Sequence, residues 1–316
     1  IIAGEPNSIS SEIIFKSWKL RKIYKHKNLF IIGNIKLLNL QKKKLNYKFK
    51  LKEIKRNFRN SDLRTNHLPI YNVNYNQKKV FEKISTRSNK YILKCFEETL
   101  KFIKNNQIIG FINCPISKET LFKNKHQGIT EFLSRKTKSR GKETMLIYNK
   151  SLSVSPLTIH IPLSKVSKKI RKNEIIQKVR NINTFYKKIM NKKPYFAVLG
   201  LNPHNYSSAK EKEENIIKNA VKYLKKIKIR VSGPIVADSS FMIYKKNKFD
   251  VIIGMYHDQV LTPFKALFKF DAINITLGLP FIRVSPDHGV AENITGKNIA
   301  DPRSLIESIK FFNNLK

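Results

Sequence analysis

The chain has 316 residues and a formal net charge of +41 at pH 7, from 63 Lys and Arg against 22 Asp and Glu. Hydrophobic residues make up 41% of it, enough for a substantial core, and its apolar runs are much too short to cross a bilayer. Cys95 and Cys114 are its only cysteines and form no CxxC pair, which disfavours a disulfide framework and a thiolate metal cluster and favours a cytoplasmic location.

The high positive charge raises the question of a nucleic-acid partner, because clustered Lys and Arg release counterions from polyanions. The basic residues are instead spread over the chain, and no RNA-binding or zinc-finger signature accompanies them. Lys, Asn and Ile are abundant throughout, and all three have AT-rich codons. A nucleic-acid-binding protein is therefore the least favoured alternative, while the charge suits phosphorylated substrates in general.

Short β-type runs alternate with helical patterns along the chain. Several runs are continuously apolar, as expected for strands covered on both faces. This alternation predicts an α/β fold with a largely parallel sheet. In chain order, the predicted strands are 29–32, 108–112, 144–147, 157–159, 196–199 and 251–253. The predicted helices are 79–104, 165–190, 213–226 and 301–312, the last with Asp301 as N-cap and Pro302 at the first helical position.

Three histidines share one context. His160, His204 and His257 each stand near the carboxyl end of an apolar strand, and only a sheet that gathers strand ends could bring them together. Three neutral imidazoles with an open position suit Zn²⁺ or a similar divalent ion. Taken singly, each is more often a structural histidine. The segment GMYHDQVLTPFK adds Asp258 and Lys265 to the end of the same strand as His257.

Eight segments carry a resemblance to a known family, in the family's own order. They are GEPNSISSE from Gly4, NCPISKE from Asn113, GITEFL from Gly128, TIHIPL from Thr158, GLNPH from Gly200, GPIVADSSF from Gly233, YHDQVLTPFK from Tyr256 and NITLGLPFIRVSPDHGVAENITGKNIADPRSL from Asn274. The chain thereby resembles the NAD-dependent 4-hydroxythreonine-4-phosphate dehydrogenases of vitamin B6 synthesis over nearly its whole length.

The resemblance implies a two-domain α/β/α architecture similar to isocitrate and isopropylmalate dehydrogenases, with the active site in the interdomain cleft. The expected domains are residues 1–115 plus about 285–316, and about 116–284, the second carrying the metal ligands and the dimer contacts. The resemblance also implies a homodimer with its active site at the subunit interface.

The resemblance further assigns roles to matching positions. The metal ligands fall on His160, His204 and His257, for Zn, Mg or Co, and the substrate contacts fall on Thr130, Lys265, Asn274 and Arg283. Asp238 and Asp258 match acidic residues close to the metal and, with Lys265, are the catalytic candidates. Two alternatives stay open: Asp238 as the N-cap of a helix that starts near Ser239, and Arg283 in a structural ion pair with Asp287.

The cofactor implied is NAD, or NADP, bound without the Rossmann GxGxxG, which this sequence lacks. Gly289 and Gly296 lie in turn-like settings beside a helix start, where backbone amides could approach a pyrophosphate; plain turns explain them equally well. The expected reaction is oxidation and decarboxylation of 4-phosphooxy-L-threonine. Ile129 replaces the family's His, and the loop at 205–214 departs from its glycine-rich pattern, so a related 4-phosphorylated hydroxy acid, such as threonate or erythronate phosphate, is the alternative substrate.

Overall fold

The computed structural model describes residues 1–24, 28–122, 129–139, 141–206 and 212–315. The chain divides into two compact units, the first made of Ile1–Thr137 and Pro280–Asn314 and the second containing Lys138–Leu279. The predicted domains used borders near 115 and 285. They stay a prediction, because compactness alone does not define an independently folding part.

Strands and helices alternate along the described residues. The strands are β1 (Ile31–Gly33), β2 (Leu51–Ile54), β3 (Leu68–Asn72), β4 (Gly110–Ile112), β5 (Thr144–Tyr148), β6 (Ser153–Thr158), β7 (Phe196–Leu199), β8 (Val231–Ile235), β9 (Val251–Tyr256), β10 (Ile273–Leu277) and β11 (Ile282–Pro286). The helices are α1 (Ser10–Lys19), α2 (Arg21–Tyr24), α3 (Ile35–Lys44), α4 (Asn60–Leu63), α5 (Asn89–Lys104), α6 (Lys118–Phe122), α7 (Ile129–Lys136), α8 (Lys172–Ile189), α9 (Glu213–Lys226), α10 (Ala237–Ile243), α11 (His257–Phe268) and α12 (Arg303–Asn313).

The first unit contains two groups of parallel strands. One is a three-stranded sheet in the order β1-β3-β2, and the other is the pair β4 and β11. Isolated bridges from Ile2 to Ile32 and to Asn113 join the two groups. Helix α5 packs its buried face, which includes Phe96 and Phe102, into this unit's core.

The helix predicted at 79–104 starts only at Asn89. The backbone N–H of Glu82 donates to Asn7 Oδ1, and that of Ile84 donates to Glu292 Oε1. Both groups are thus committed to distant side chains instead of an intrahelical ladder. Ser85 then accepts a hydrogen bond from the N–H of Arg87, a local bond that competes with helix formation.

The second unit contains six strands in the order β10-β5-β6-β9-β7-β8. Strands β6, β9, β7 and β8 run parallel, while β5 is antiparallel to both of its neighbours. Ser153 Oγ contacts Tyr186 Oη of α8 at 2.8 Å, whereas the next residue, Val154, belongs to the core cluster of Phe264 in α11. Because successive strand residues point to opposite faces, helices cover both faces of this sheet. The predicted α/β class is confirmed.

Two predicted elements have their predicted bounds, the helix predicted at 165–190 begins only at Lys172, and one predicted cap is wrong. β7 and α9 have the predicted bounds. Helix α12 begins at Arg303 with Pro302 as N-cap, so the assignment of Asp301 as N-cap was wrong by one residue. Asp301 Oδ1 still accepts a bond from the N–H of Arg303, at 2.9 Å. Among the described helices, none has both the length and the apolar character needed to span a membrane.

Candidate active site

Three neighbouring parallel strands end at one edge of the second unit's sheet. β9 lies between β6 and β7 and pairs in parallel with both. His257 directly follows β9, His160 comes two residues after β6, and His204 comes five residues after β7. Parallel strands place their carboxyl ends at one edge, so the three histidines follow strand ends on the same side of the sheet.

His160 and His257 lie beside each other. Their ring centroids are 5.7 Å apart with an interplanar angle of 35°. Two imidazoles on one tetrahedral Zn²⁺, with Zn–N of about 2.0–2.1 Å, hold their ring centroids about 5 Å apart, so this pair fits a shared divalent ion. His257 Nδ1 contacts Asp258 Oδ1 at 2.8 Å, so Nε2 is the ring nitrogen that could bind a metal ion. A carboxylate on the second ring nitrogen is the usual partner of a metal-bound histidine.

His204 lies in the turn Pro203–Asn205 and is exposed. His160 and His204 both adopt left-handed backbone, each with φ of 53°, which is uncommon for residues other than glycine. Across the ranges described above, no group of three or more His, Cys, Asp or Glu side chains is placed to hold a metal ion within the single chain. The assignment of His204 as third ligand therefore stays a prediction. Half of the altered loop at 205–214, residues 207–211, lies outside the described residues.

Two polar side chains behind this edge, the half-buried Gln259 and the buried Glu214, tie the strand ends together. Gln259 accepts from the N–H of Met255 at 2.7 Å and donates to the carbonyl of Gly200 at 2.8 Å, linking β9 to the end of β7. The fully buried Glu214 accepts from the N–H groups of Leu201 and Asn202 at 2.8 and 2.9 Å. Sequence reasoning missed both residues. The Gln in YHDQ was the available signal for one, while nothing in the pattern pointed to Glu214.

Two aspartates near this edge differ in their contacts. Asp258 is largely exposed and bonded to His257, as described above. Asp238 is exposed in the first turn of α10, which begins at Ala237 with Val236 as N-cap. The alternative that Asp238 is the N-cap of a helix starting near Ser239 is therefore wrong.

Two predicted substrate residues belong to the second unit. Lys265 is exposed on α11, eight residues after His257. Asn274 lies on β10 opposite Ile147 of β5. Its Oδ1 atom is buried and has no hydrogen-bond partner among the described residues. A buried acceptor without a donor is costly, so this atom is suited to a donor group of a bound ligand.

Two more belong to the first unit. Arg283 on β11 is only 5% exposed, and its Nε donates to Asn113 Oδ1 at 2.7 Å. Burial lowers the pKa of Arg283 to about 10. Thr130 is half-buried near the start of α7, next to the buried Ile129. The side chain of Ile129 cannot donate a hydrogen bond, so the contact made by the family's histidine is either lost or supplied by another residue.

The two candidate cofactor glycines differ. Gly296 has φ of +75°, and an added Cβ would lie 3.1 Å from the Phe81 ring, so the fold itself explains this glycine. Gly289 has open space where a Cβ would be. A ligand could therefore approach the backbone at Gly289, and the assignment of both glycines to NAD stays a prediction.

The chain is similar to known proteins over nearly its whole length. The family model of the pyridoxal phosphate biosynthetic protein PdxA matches residues 25–312. The 4-hydroxythreonine-4-phosphate dehydrogenase of Sulfurihydrogenibium sp. (strain YO3AOP1) is 38% identical, over 98% of this chain and 95% of its own. A provisionally named D-threonate 4-phosphate dehydrogenase of Oceanobacillus iheyensis is 28% identical over the same shares. A provisionally named 4-hydroxythreonine-4-phosphate dehydrogenase structure from Salmonella typhimurium superposes with a TM-score of 0.84 and 28% identity, covering 98% of this chain and 96% of that one.

An α/β chain with paired imidazoles at strand ends, whose relatives are dehydrogenases, falls in the class of α/β oxidoreductases. More narrowly, the chain belongs to the family of the pyridoxal phosphate biosynthetic protein PdxA, and the resemblance inferred from its motifs is confirmed.

Proposed function

We propose that the chain catalyses the NAD-dependent oxidation and decarboxylation of 4-phosphooxy-L-threonine to 3-amino-2-oxopropyl phosphate in pyridoxal phosphate biosynthesis. The observation that carries this proposal is the pair His160 and His257, 5.7 Å apart at the ends of adjacent parallel strands, in a chain of this family.

His160, His257 and the predicted ligand His204 are the residues that would hold a divalent ion, whether Zn, Mg or Co. When bound, such an ion makes an alcohol more acidic and stabilises negative charge on oxygen as CO₂ departs. Asp258 keeps His257 in the tautomer with Nε2 as ligand, because Nδ1 carries the bond to the carboxylate. This supports Asp258 as the orienting group.

Asp238 is then the better candidate for the base that removes the alcohol proton. The carboxylate of Asp238 is exposed, whereas the carboxylate of Asp258 is hydrogen-bonded to the imidazole of His257. Lys265 remains a second candidate for proton transfer.

The substrate offers a phosphate, a carboxylate, an ammonium and a hydroxyl group. Phosphate suits a guanidinium with an ammonium, the groups of Arg283 and Lys265. Thr130 supplies a neutral hydroxyl group. Asn274 Oδ1, buried without a partner among the described residues, suits the ammonium or the hydroxyl group as donor.

NAD is the proposed hydride acceptor, with the turn containing Gly289 and Gly296 as its binding segment; NADP is the alternative. We also propose a cytoplasmic homodimer whose active site lies at the subunit interface. That arrangement accounts for a third ligand that the described part of one chain does not bring beside the other two.

A second candidate keeps the chemistry but changes the substrate to D-threonate 4-phosphate or erythronate 4-phosphate. Ile129 in place of the family's histidine favours it, as does the likeness to the Oceanobacillus protein. These acids carry a hydroxyl group where the threonine phosphate carries the ammonium.

NADH formation tests both candidates. Chelator-treated protein is assayed with each of the three phosphorylated acids, with NAD or NADP, and with Zn²⁺, Mg²⁺ or Co²⁺ added back. Metal-dependent turnover of 4-phosphooxy-L-threonine, with a higher kcat/KM than for the other acids, supports the first candidate. Preference for a threonate or erythronate phosphate supports the second, and no turnover of any of them would remove both.

A further inference from the structure

A loop after β4 holds the buried cation Arg283 in place. Asn113 directly follows β4, and its Oδ1 accepts from Arg283 Nε at 2.7 Å. The side chains are 3% and 5% exposed. The N–H of Asn113 also donates to the carbonyl of Val284, at 3.1 Å. Two hydrogen bonds therefore fix the loop to β11 at Arg283 and the next residue, and the bond at Nε sets the rotation of the guanidinium plane.

The loop itself is anchored by the amino-terminal segment. The carbonyl of Pro115 accepts from the N–H of Glu5 at 2.8 Å and from Ser10 Oγ at 3.2 Å. The N–H of Cys114 donates to the carbonyl of Ile2 at 3.0 Å. Because the loop is held at successive residues, the Asn113 side chain has one orientation. A residue that positions another side chain must itself be fixed in this way.

The same loop leads into Lys118, the first residue of α6. Part of the Lys118 side chain is exposed, yet desolvation by the surrounding protein, and then the positive charge of Arg283, lower its pKa. Lys118 follows Asn113 by five residues on this anchored loop, and the positive charges of Lys118 and Arg283 repel. A bound dianion would offset that repulsion. Phosphate is such an anion, and a fixed guanidinium recognises it with two hydrogen bonds.

We propose that Asn113 is a positioning residue that orients Arg283, and that Lys118 joins Arg283 in binding the phosphate group of the substrate. This rests on the proposed function, which supplies the phosphate, and deepens it with two residues of the first unit.

Inorganic phosphate is the probe, measured by calorimetry and as a competitive inhibitor. Asn113→Leu keeps the approximate volume but removes the acceptor, and Lys118→Met removes the ammonium. We expect each to weaken phosphate binding by about tenfold or more, since hydrogen bonds to charged groups are of that strength. In steady-state assays, the KM for the phosphorylated substrate rises by a similar factor while kcat changes less. Ser117→Ala, in the same loop, is the matched control and leaves phosphate affinity unchanged.

Asn113→Asp provides a variant that folds if Asn113→Leu does not, because a carboxylate beside Arg283 is electrostatically favourable. It neutralises the guanidinium, so it also weakens phosphate binding. Parent-like phosphate affinity in Asn113→Asp and Lys118→Met overturns the proposal. Weakened phosphate binding in these variants, in a parent that turns over none of the three acids, upholds the anion site while the proposed function fails. Turnover with unchanged KM in all variants upholds the function and overturns this site.

Discussion

The histidine edge of the second unit and the arginine of the first unit hold their functional groups in opposite ways. His160 and His204 are exposed and have left-handed backbone. Behind them, the half-buried Gln259 and the buried Glu214 bond the backbone at the ends of β9 and β7. Arg283 is itself buried in a strand, and Asn113 bonds it directly.

The difference in burial agrees with the ligands proposed for the two sites. An imidazole ligand has to be neutral and reachable, so its rigidity comes from the backbone that carries it. A guanidinium that binds phosphate gains strength in a medium of low polarity, but burial disfavours its charge and lowers its pKa. The left-handed backbone of His160 and His204 lowers the stability of the fold by about 1–3 kcal/mol for each residue. At Arg283 the fold is destabilised instead by the removal of a positive charge from water.

The largest expected effect comes from removing an imidazole of the pair. His257→Ala should lower turnover by about a thousandfold or more, because it removes one of the two adjacent histidines proposed as metal ligands. Steady-state NADH formation at saturating metal measures it. The thermal unfolding midpoint without metal should change little, since the His257 side chain is one-third exposed at 34%.

His67→Ala is the matched control, since His67 lies in the first unit outside all the predicted site residues. It should keep parent activity. Near-normal turnover in His257→Ala would contradict the metal role of this histidine. The comparison between exposed metal-binding histidines and the buried Arg283 would then no longer hold.

Removing the carboxylate behind His257 should have the next largest effect. Asp258→Asn should weaken metal affinity by about 10–100-fold, the usual loss when a group that orients a metal-bound histidine is changed. Titration calorimetry with Zn²⁺ measures it directly. Asp62→Asn, which changes an exposed carboxylate of the first unit, should leave the affinity unchanged. Equal affinities in parent and Asp258→Asn would mean that Asp258 does not orient the imidazole.

Lys178 is a buried cation outside the proposed site, so it shows what burying a positive charge does to stability alone. It is 8% exposed on α8, and burial lowers its pKa to about 8. The unfolded chain keeps this proton up to about pH 10.5, so it binds more protons than the folded chain between about pH 8 and 10.5. The parent's free energy of unfolding therefore carries a penalty below pH 8 that is relieved as the pH rises through this window.

Lys178→Met should accordingly raise the free energy of unfolding by about 2 kcal/mol at pH 7, and the gain should shrink towards pH 10.5. Urea unfolding at pH 7 and pH 10 measures it, with the exposed Lys187→Met on the same helix as control. Activity should not change. A gain that is absent at pH 7, or that grows with pH, would contradict the penalty assigned to burying this cation.

The main strands, helices and strand-end histidines could be predicted from the sequence, whereas the side-chain contacts between distant segments could not. The apolar run 196–199 and the amphipathic run 213–226 predicted β7 and α9 because their patterns are strong and local. The strand-end setting of the histidines followed from the same patterns. The roles of Gln259 and Glu214 did not follow from them. Gln259 bonds Gly200 and Glu214 bonds Leu201 and Asn202, and single contacts of this kind leave no periodic pattern in the sequence. Ile84 failed as a helical residue for the same reason, since Glu292 captures its N–H.

The smallest expected effect concerns Gln259 and Glu214, and it tests whether these side chains contribute to metal affinity. Gln259→Leu removes both bonds that join the end of β7 to β9, so the turn that carries His204 loses one of its fixed points. Metal affinity should fall by about tenfold, less than for Asp258→Asn, because Glu214 still holds Leu201 and Asn202. Gln177→Leu on α8, which loses only an exposed bond to Asn181, is the control. If Gln259→Leu binds metal like the parent while Glu214→Gln does not, the α9 carboxylate alone supports the His204 turn, and the two strands need no direct link.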